Sequence, residues 1–161
     1  MCEIKLVEQV YLDTNVYCRP FDDQSDRRIQ AESNAFIEIA DVALRGKIVI
    51  ASSDYVKFEI EKIVDPLKRK GVRGFERTIA SVNIASNKRV IALARRVFAE
   101  CDLNHLDALH VSSACIGKVD WFLTCDDEIL RNDRCIEEIA AEKGYRLKVR
   151  NPVNYLEEKR R

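Results

Sequence analysis

Three short apolar runs stand too far apart in this chain to be joined by hairpins. They are residues 5–12, "KIVIA" at 47–51 and "VDWFLT" at 119–124. The stretches between them carry helical periodicity instead. In residues 26–45, Ile29, Ser33, Phe36, Ile37, Ala40 and Leu44 recur on one face, and Gly46 supplies a stop. Strands separated by helices of ten or more residues predict parallel pairing through crossovers. The expected fold is therefore α/β, a central parallel sheet flanked by helices on both faces in a Rossmann-like three-layer sandwich.

The remaining elements follow from punctuation. Asp54 can cap a helix carrying Val56, Ile60, Ile63 and Val64, which Pro66 bends or ends. Gly71 and Gly74 mark a break, and a helical pattern resumes over 75–82. Ser86 or Asn87 caps a helix with Val90, Ile91, Ala94, Val97 and Phe98 on one face, and Asn104 caps another that ends at Gly117. A helix at 136–143, a strand at 145–149 and a helix at 153–159 complete the series. With 161 residues and neither repeats nor a linker, one domain over 1–161 is expected.

Composition narrows the function classes. The chain has 27 basic and 27 acidic residues, so overall charge does not announce a nucleic-acid binder, although a locally basic face stays open. No apolar run approaches the roughly 20 residues of a membrane span. The six cysteines, at 2, 18, 101, 115, 125 and 135, form no C-x-x-C pair, which argues against a zinc ribbon. Several of them sit in apolar surroundings and read as small core residues. Without a secretory signal they are expected to be free thiols of a cytoplasmic protein.

The chemistry lies in the acids. In open α/β sheets, sites form beyond the carboxyl ends of the strands. Asp13 follows the first apolar run and Asp126 follows "VDWFLT". Asp107 lies in the first turn after Asn104, and Glu59 in the helix after "KIVIA". Each alone also suits a cap, a helix dipole or a solvated helix face. The helix of Asp107, however, is apolar around most of its circumference, and a buried acid needs a partner. Carboxylates gathered without cations repel and protonate, whereas a hard divalent cation relieves them. His105 and His110, five residues apart, cannot readily share one ion with Asp107. His110 reads as a packed or hydrogen-bonded helix residue, and Trp121 and Phe122 as core.

At these positions the chain resembles a known family. "YLDTNV" at 11–16, "ASSDYVKFEI" at 51–60, "DALHVSSA" at 107–114 and "FLTCDDEIL" at 122–130 are similar, in order, to the four motifs of PIN-domain nucleases. The resemblance implies a metal-dependent ribonuclease whose catalytic and metal-binding residues are Asp13, Glu59, Asp107 and Asp126, with Mg²⁺ or Mn²⁺ as cofactor. Thr14, Asn15 and Thr124 fall on the family's supporting polar positions. Asp127 competes with Asp126 as the last ligand, and Glu61 with Glu59; the T-x-D spacing and the motif neighbours favour Asp126 and Glu59. The resemblance further implies an RNA substrate, a homodimer and, as for many VapC-type stand-alone members, a toxin held in check by a small antitoxin protein. A PIN-like module that binds RNA or protein without cutting is the alternative. RNA would need cationic support. Arg19 and the basic stretch Lys68, Arg69, Lys70, Arg73 and Arg77, expected as a flexible loop, are the candidates.

Overall fold

The computed structural model describes residues 7–161. Residues 1–6 lie outside the described residues, and with them Cys2 and the first positions of the expected strand at 5–12. Five strands form one all-parallel sheet in the order β3-β2-β1-β4-β5, with helices on both faces, as the alternation predicts. β1 (Gln9–Leu12) is followed by α1 (Thr14–Cys18), a 3-10 turn (Arg19–Phe21) and the long α2 (Arg27–Leu44). Asp26 caps α2 through the backbone N–H groups of Arg28 and Ile29. Gly46 follows it at φ 74°, the left-handed conformation that stops a helix and favours glycine.

β2 (Val49–Ser53) leads into α3 (Asp54–Glu61), and α4 (Pro66–Ile79) leads into β3 (Ala80–Ile84). Several expectations need correcting here. The cap of α3 is Ser53, whose hydroxyl accepts from the Val56 N–H; Asp54 is the first helical residue. Pro66 opens α4 rather than ending a helix, because the first turn has no need of its missing N–H. Val64 lies beyond α3 and is almost fully exposed. The expected break at Gly71 and Gly74 is helix throughout. Gly71 serves a close approach: a Cβ there would lie 2.3 Å from the Phe21 ring. The expected helix over 75–82 is divided, its first half belonging to α4 and its last residues to β3.

α5 (Lys88–Glu100), capped by Asn87, packs against α6 (His105–Ile116), capped by Asn104. β4 (Trp121–Leu123), α7 (Asp127–Arg131), α8 (Asp133–Glu142), β5 (Lys148–Arg150) and α9 (Pro152–Arg160) complete the chain. Trp121 and Phe122 are buried, as expected of core residues. Cys101 and Cys135 form a disulfide, which corrects the expectation of free thiols at both. Cys101 ends α5 and Cys135 lies in α8, and the packing of these helices brings their Cα atoms to 5.9 Å, within disulfide reach. Cys18, Cys115 and Cys125 are free, the last two buried. Among the described residues, no helix is long and apolar enough to cross a membrane.

β1 sits at the centre of the sheet, hydrogen-bonded to β2 on one side and β4 on the other. Val10, Tyr11, Leu12, Phe122 and Leu123 are fully buried, the near-continuous apolar character of strands covered on both faces. The chain runs outward from β1 to β2 and β3, then returns to place β4 on the other side of β1. The direction of winding therefore reverses at the β1–β4 boundary, where α/β sheets open a crevice.

Candidate functional site

Asp13 is the first residue beyond β1, and its backbone N–H extends the ladder to the Leu123 carbonyl of β4 at 2.9 Å. That bond fixes where the side chain starts, and three further groups fix where it points. The Thr14 N–H donates to Asp13 Oδ1 at 2.8 Å. The Thr124 hydroxyl donates to Oδ2 at 2.8 Å and the Asn15 amide to the same oxygen at 3.1 Å. The Asn15 carbonyl oxygen accepts from the Cys125 N–H at 3.0 Å, stitching α1 to the segment after β4. Thr124 Oγ1 in turn accepts from the Asp126 N–H at 3.0 Å. Thr124, Asn15 and Asp13 thus form one hydrogen-bonded unit across the β1–β4 boundary.

Glu59 reaches this unit from α3. The Thr14 hydroxyl donates to its Oε1 at 3.0 Å, and His110 Nε2 from α6 lies in close hydrogen-bond contact with the same oxygen. His110 is fully buried, and its Nε2 is 4.0 Å from Asp13 Oδ1. The sequence reading of His110 as a hydrogen-bonded helix residue holds, but its partner was not foreseen. The signal was present: His110 lies three residues after Asp107, so the two share a face of α6. His105, by contrast, stacks on Phe98 at 3.8 Å, away from the acids. Asp13, Glu59 and His110 each offer one ligand atom within 4.8 Å of the others.

Asp107 stands in the first turn of α6 with its Oδ2 buried and, among the described residues, without a hydrogen-bond partner. Burial and the charges of Asp13 and Asp126 push its carboxyl up to about 7. Burial likewise raises Asp13, against the pull of His110 and the Thr124 and Thr14 hydrogen bonds. Burial also works to raise Glu59, but the His110 and Thr14 hydrogen bonds outweigh it and hold Glu59 below the usual range. His110 is lowered by burial yet raised overall by Glu59, Asp13 and Asp107 around it. Asp126 caps α7 through the Glu128 N–H. Asp127 turns outward, where both its oxygens bind the Arg28 guanidinium at 2.8 and 2.9 Å. Glu61 is likewise held on the outside by Arg73.

Among the described residues, no lysine or arginine forms an ion pair with Asp13, Glu59, Asp107 or Asp126. An orphaned carboxylate oxygen in such a pocket is the donor set a hard divalent cation requires, so the residues fit the metal expected from sequence.

The basic stretch is not a flexible loop but part of α4, because Asp65 caps and Pro66 starts a helix through it. Lys68 is bound to Asp22 at 2.8 Å, Arg69 donates to the Ile63 carbonyl and Arg73 pairs with Glu61. Arg19 is bound to Asp22 and Glu32. Lys70 and Arg77 are exposed and, among the described residues, without ion pairs, and at seven residues' separation they share a helix face.

A search among curated proteins returns no match. The family model for the PIN domain matches residues 10–134, from β1 into α8. The matched span takes in each strand and helix that carries an acid of the pocket, and the chain belongs to the PIN-domain family.

Proposed function

We propose that the chain is a divalent-metal-dependent ribonuclease that hydrolyses RNA phosphodiester bonds at the pocket of Asp13, Glu59, Asp107 and Asp126. PIN domains are generally metal-dependent nucleases. The observation that carries the reading for this chain is the buried, unpartnered Oδ2 of Asp107 among acids that no lysine or arginine neutralises. Asp13 and Asp107 would be the central holders of Mg²⁺ or Mn²⁺, with Glu59 and Asp126 completing the set. When bound, the cation supplies the Lewis acidity that activates a water and offsets charge on the phosphoryl oxygens. The residues around it supply position. Thr124 and Asn15 hold Asp13 in one rotamer, and Thr14 holds Glu59, so the carboxylates meet an incoming phosphate without first reorganising. Lys70 and Arg77, on a rigid helix face, are suited to backbone phosphates, and Arg19, Lys68, Arg69 and Arg73 to a supporting role behind them.

Cleavage of a mixed RNA pool tests the reading. Wild type should cut with Mg²⁺ or Mn²⁺, and neither wild type in EDTA nor Asp13→Asn should. Wild type that binds RNA but never cuts, and takes up no metal by calorimetry, would make the chain a binding module instead. We further assign it the role of a homodimeric toxin restrained by a small antitoxin protein. Expression should then arrest growth, and both Asp13→Asn and coexpression of a small neighbouring reading frame should restore it. Growth unaffected by wild-type expression would refute that role.

A further inference from the structure

Resting on the ribonuclease reading above, we infer that Arg89, Lys118, Lys143 and Arg146 form a second anchoring site for the RNA backbone, at the end of the sheet away from the acids. The four line one surface cavity of about 480 Å³, with Tyr145 in its wall. All four are exposed, and among the described residues none forms an ion pair. The one acid in the lining is Asp120, whose Oδ2 already accepts from the Gln9 N–H at 2.8 Å. A chain with as many acids as bases therefore gathers four cations here against a single carboxylate.

Topology separates this cluster from the pocket. Asp13 follows β1 and Asp126 follows β4, whereas Lys118 precedes β4, and Lys143 and Arg146 precede β5. In a parallel sheet those are opposite ends. By strand rise, Asp120 and Asp126 stand roughly 20 Å apart.

Structural duties account for half of the cluster. Lys118 and Lys143 stand at the C-terminal ends of α6 and α8, where a cation suits the helix dipole. Arg89 lies in the first turn of α5, where the dipole opposes a cation, and Arg146 lies in no helix. Arg89 is held at the cavity by the Tyr145 hydroxyl, which accepts from Nη2 at 3.2 Å. The Tyr145 ring packs against the core, so that hydroxyl is a fixed post. Lys118 also breaks a local rule. Its φ is 56°, and among the described residues it is the one non-glycine residue in the left-handed region. Glycine would follow α6 there without strain, yet the position carries a lysine.

The chemistry suits phosphodiesters. Guanidinium groups fork onto phosphate oxygens, and lysines attract them as point charges. A second cavity, of about 280 Å³, shares Arg89, Lys143 and Tyr145, so the basic surface continues past a single phosphate. That extent fits a strand better than a free anion.

The test is RNA binding by fluorescence anisotropy in EDTA, so that neither cleavage nor metal contributes. Wild type should bind an RNA of about 20 nucleotides more tightly than one of about 4, and the gain with length should shrink when all four cations are replaced by glutamine. That fourfold variant should lose about 10–100-fold in affinity for the longer RNA, and its slope of log K against log salt should be shallower by about 2–3. An unchanged slope would overturn the site. Lys118→Gly should raise the unfolding midpoint, because it relieves the backbone, and still weaken RNA binding; RNA binding equal to wild type would count against the site. If the fourfold variant does not fold, wild-type amide spectra decide. The Gly144 and Tyr145 signals should shift on titration with the longer RNA, and binding that leaves them in place would overturn the inference. Inorganic phosphate or polyglutamate that binds these residues as tightly as RNA would also overturn it. Wild type that binds RNA through the four cations but never cuts with Mg²⁺ or Mn²⁺ sinks the nuclease reading and leaves the anchor standing. Wild type that cuts while the fourfold variant keeps the full salt slope sinks the anchor alone.

Discussion

Glu32 and Asp13 are buried to nearly the same depth, 1% and 4% exposed, yet the protein treats them in opposite ways. Glu32, on α2, is surrounded by groups the chain itself provides: Arg19 at 3.0 Å, Arg28 at 3.4 Å and the Asn151 amide at 2.5 Å. Glu76, also buried, has Lys57 at 2.6 Å. Asp13 has one hydroxyl, a backbone N–H, an amide and an imidazole, and among the described residues Asp107 Oδ2 has no hydrogen-bond partner. Desolvating a carboxylate is costly in both places. The chain answers that cost with its own arginines at Glu32 and leaves it open at Asp13, and that difference separates a structural acid from one reserved for an outside cation.

The contrast can be broken or sharpened by experiment. The largest expected effect is at the structural end: Glu32→Ala removes the buried carboxylate between Arg19 and Arg28 and releases Asn151, and should cost about 3–5 kcal/mol in denaturant unfolding. Metal should not restore it. At the other end, Asp107→Asn should fold at least as well as wild type in EDTA at pH 8. It should nevertheless cut RNA roughly a thousandfold more slowly, the equivalent of about 4 kcal/mol of transition-state stabilisation. A variant of equal activity would place the metal's holders elsewhere.

The pH dependence should separate the two regions next. Asp13, Asp107 and His110 all bind protons more tightly in the folded chain than in the unfolded one. The native state therefore carries more protons, and stability in EDTA should fall as pH rises, from the ordinary carboxylate range up through about 7, where Asp107 titrates. Glu59 has the opposite sign, but its contribution is complete once the pH exceeds its unfolded value near 4.5. Unfolding midpoints at pH 5, 6, 7 and 8 check this slope. Mn²⁺ at a hundred times its Kd should add about 2.7 kcal/mol and, by favouring the deprotonated acids, flatten or reverse it. The smallest effect belongs to the exposed pair: Asp127→Asn should barely move the unfolding midpoint and leave metal binding and cleavage unchanged.

Much of this contrast was legible in the residues. Asp13 and Asp126 were placed because apolar runs end on them, and the Asn104 cap placed Asp107 at a helix start. His110 entered the pocket unannounced: a histidine at helical spacing is ordinary, and only the fold shows that α3 delivers Glu59 opposite it. β3 was missed because it is an edge strand with only Ile84 buried, and Phe75, Ile79 and Val82 mimic helical spacing across its start. The basic loop was misread because Gly71 signals a break locally, whereas its reason is tertiary, the Phe21 ring pressed against it. Arg19, Lys68 and Arg73 looked free because their acids, Glu32, Asp22 and Glu61, come from other segments. The Cys101–Cys135 bond, 34 residues apart, was equally invisible before α5 met α8.

The reversal of winding beside β1 also orders events during synthesis. Asp13 leaves the ribosome well before the hydroxyl that aims it, on Thr124, which lies 111 positions later. Until β4 is translated, β1 has only β2 beside it, and Asp13, Glu59 and Asp107 exist without the segment that binds them into one pocket. The acidic centre is therefore assembled only after β4 has emerged. A nascent chain stalled before β4 carries three of the four acids but no finished pocket, and release of β4 with Thr124 and Asp126 is the moment at which it is completed.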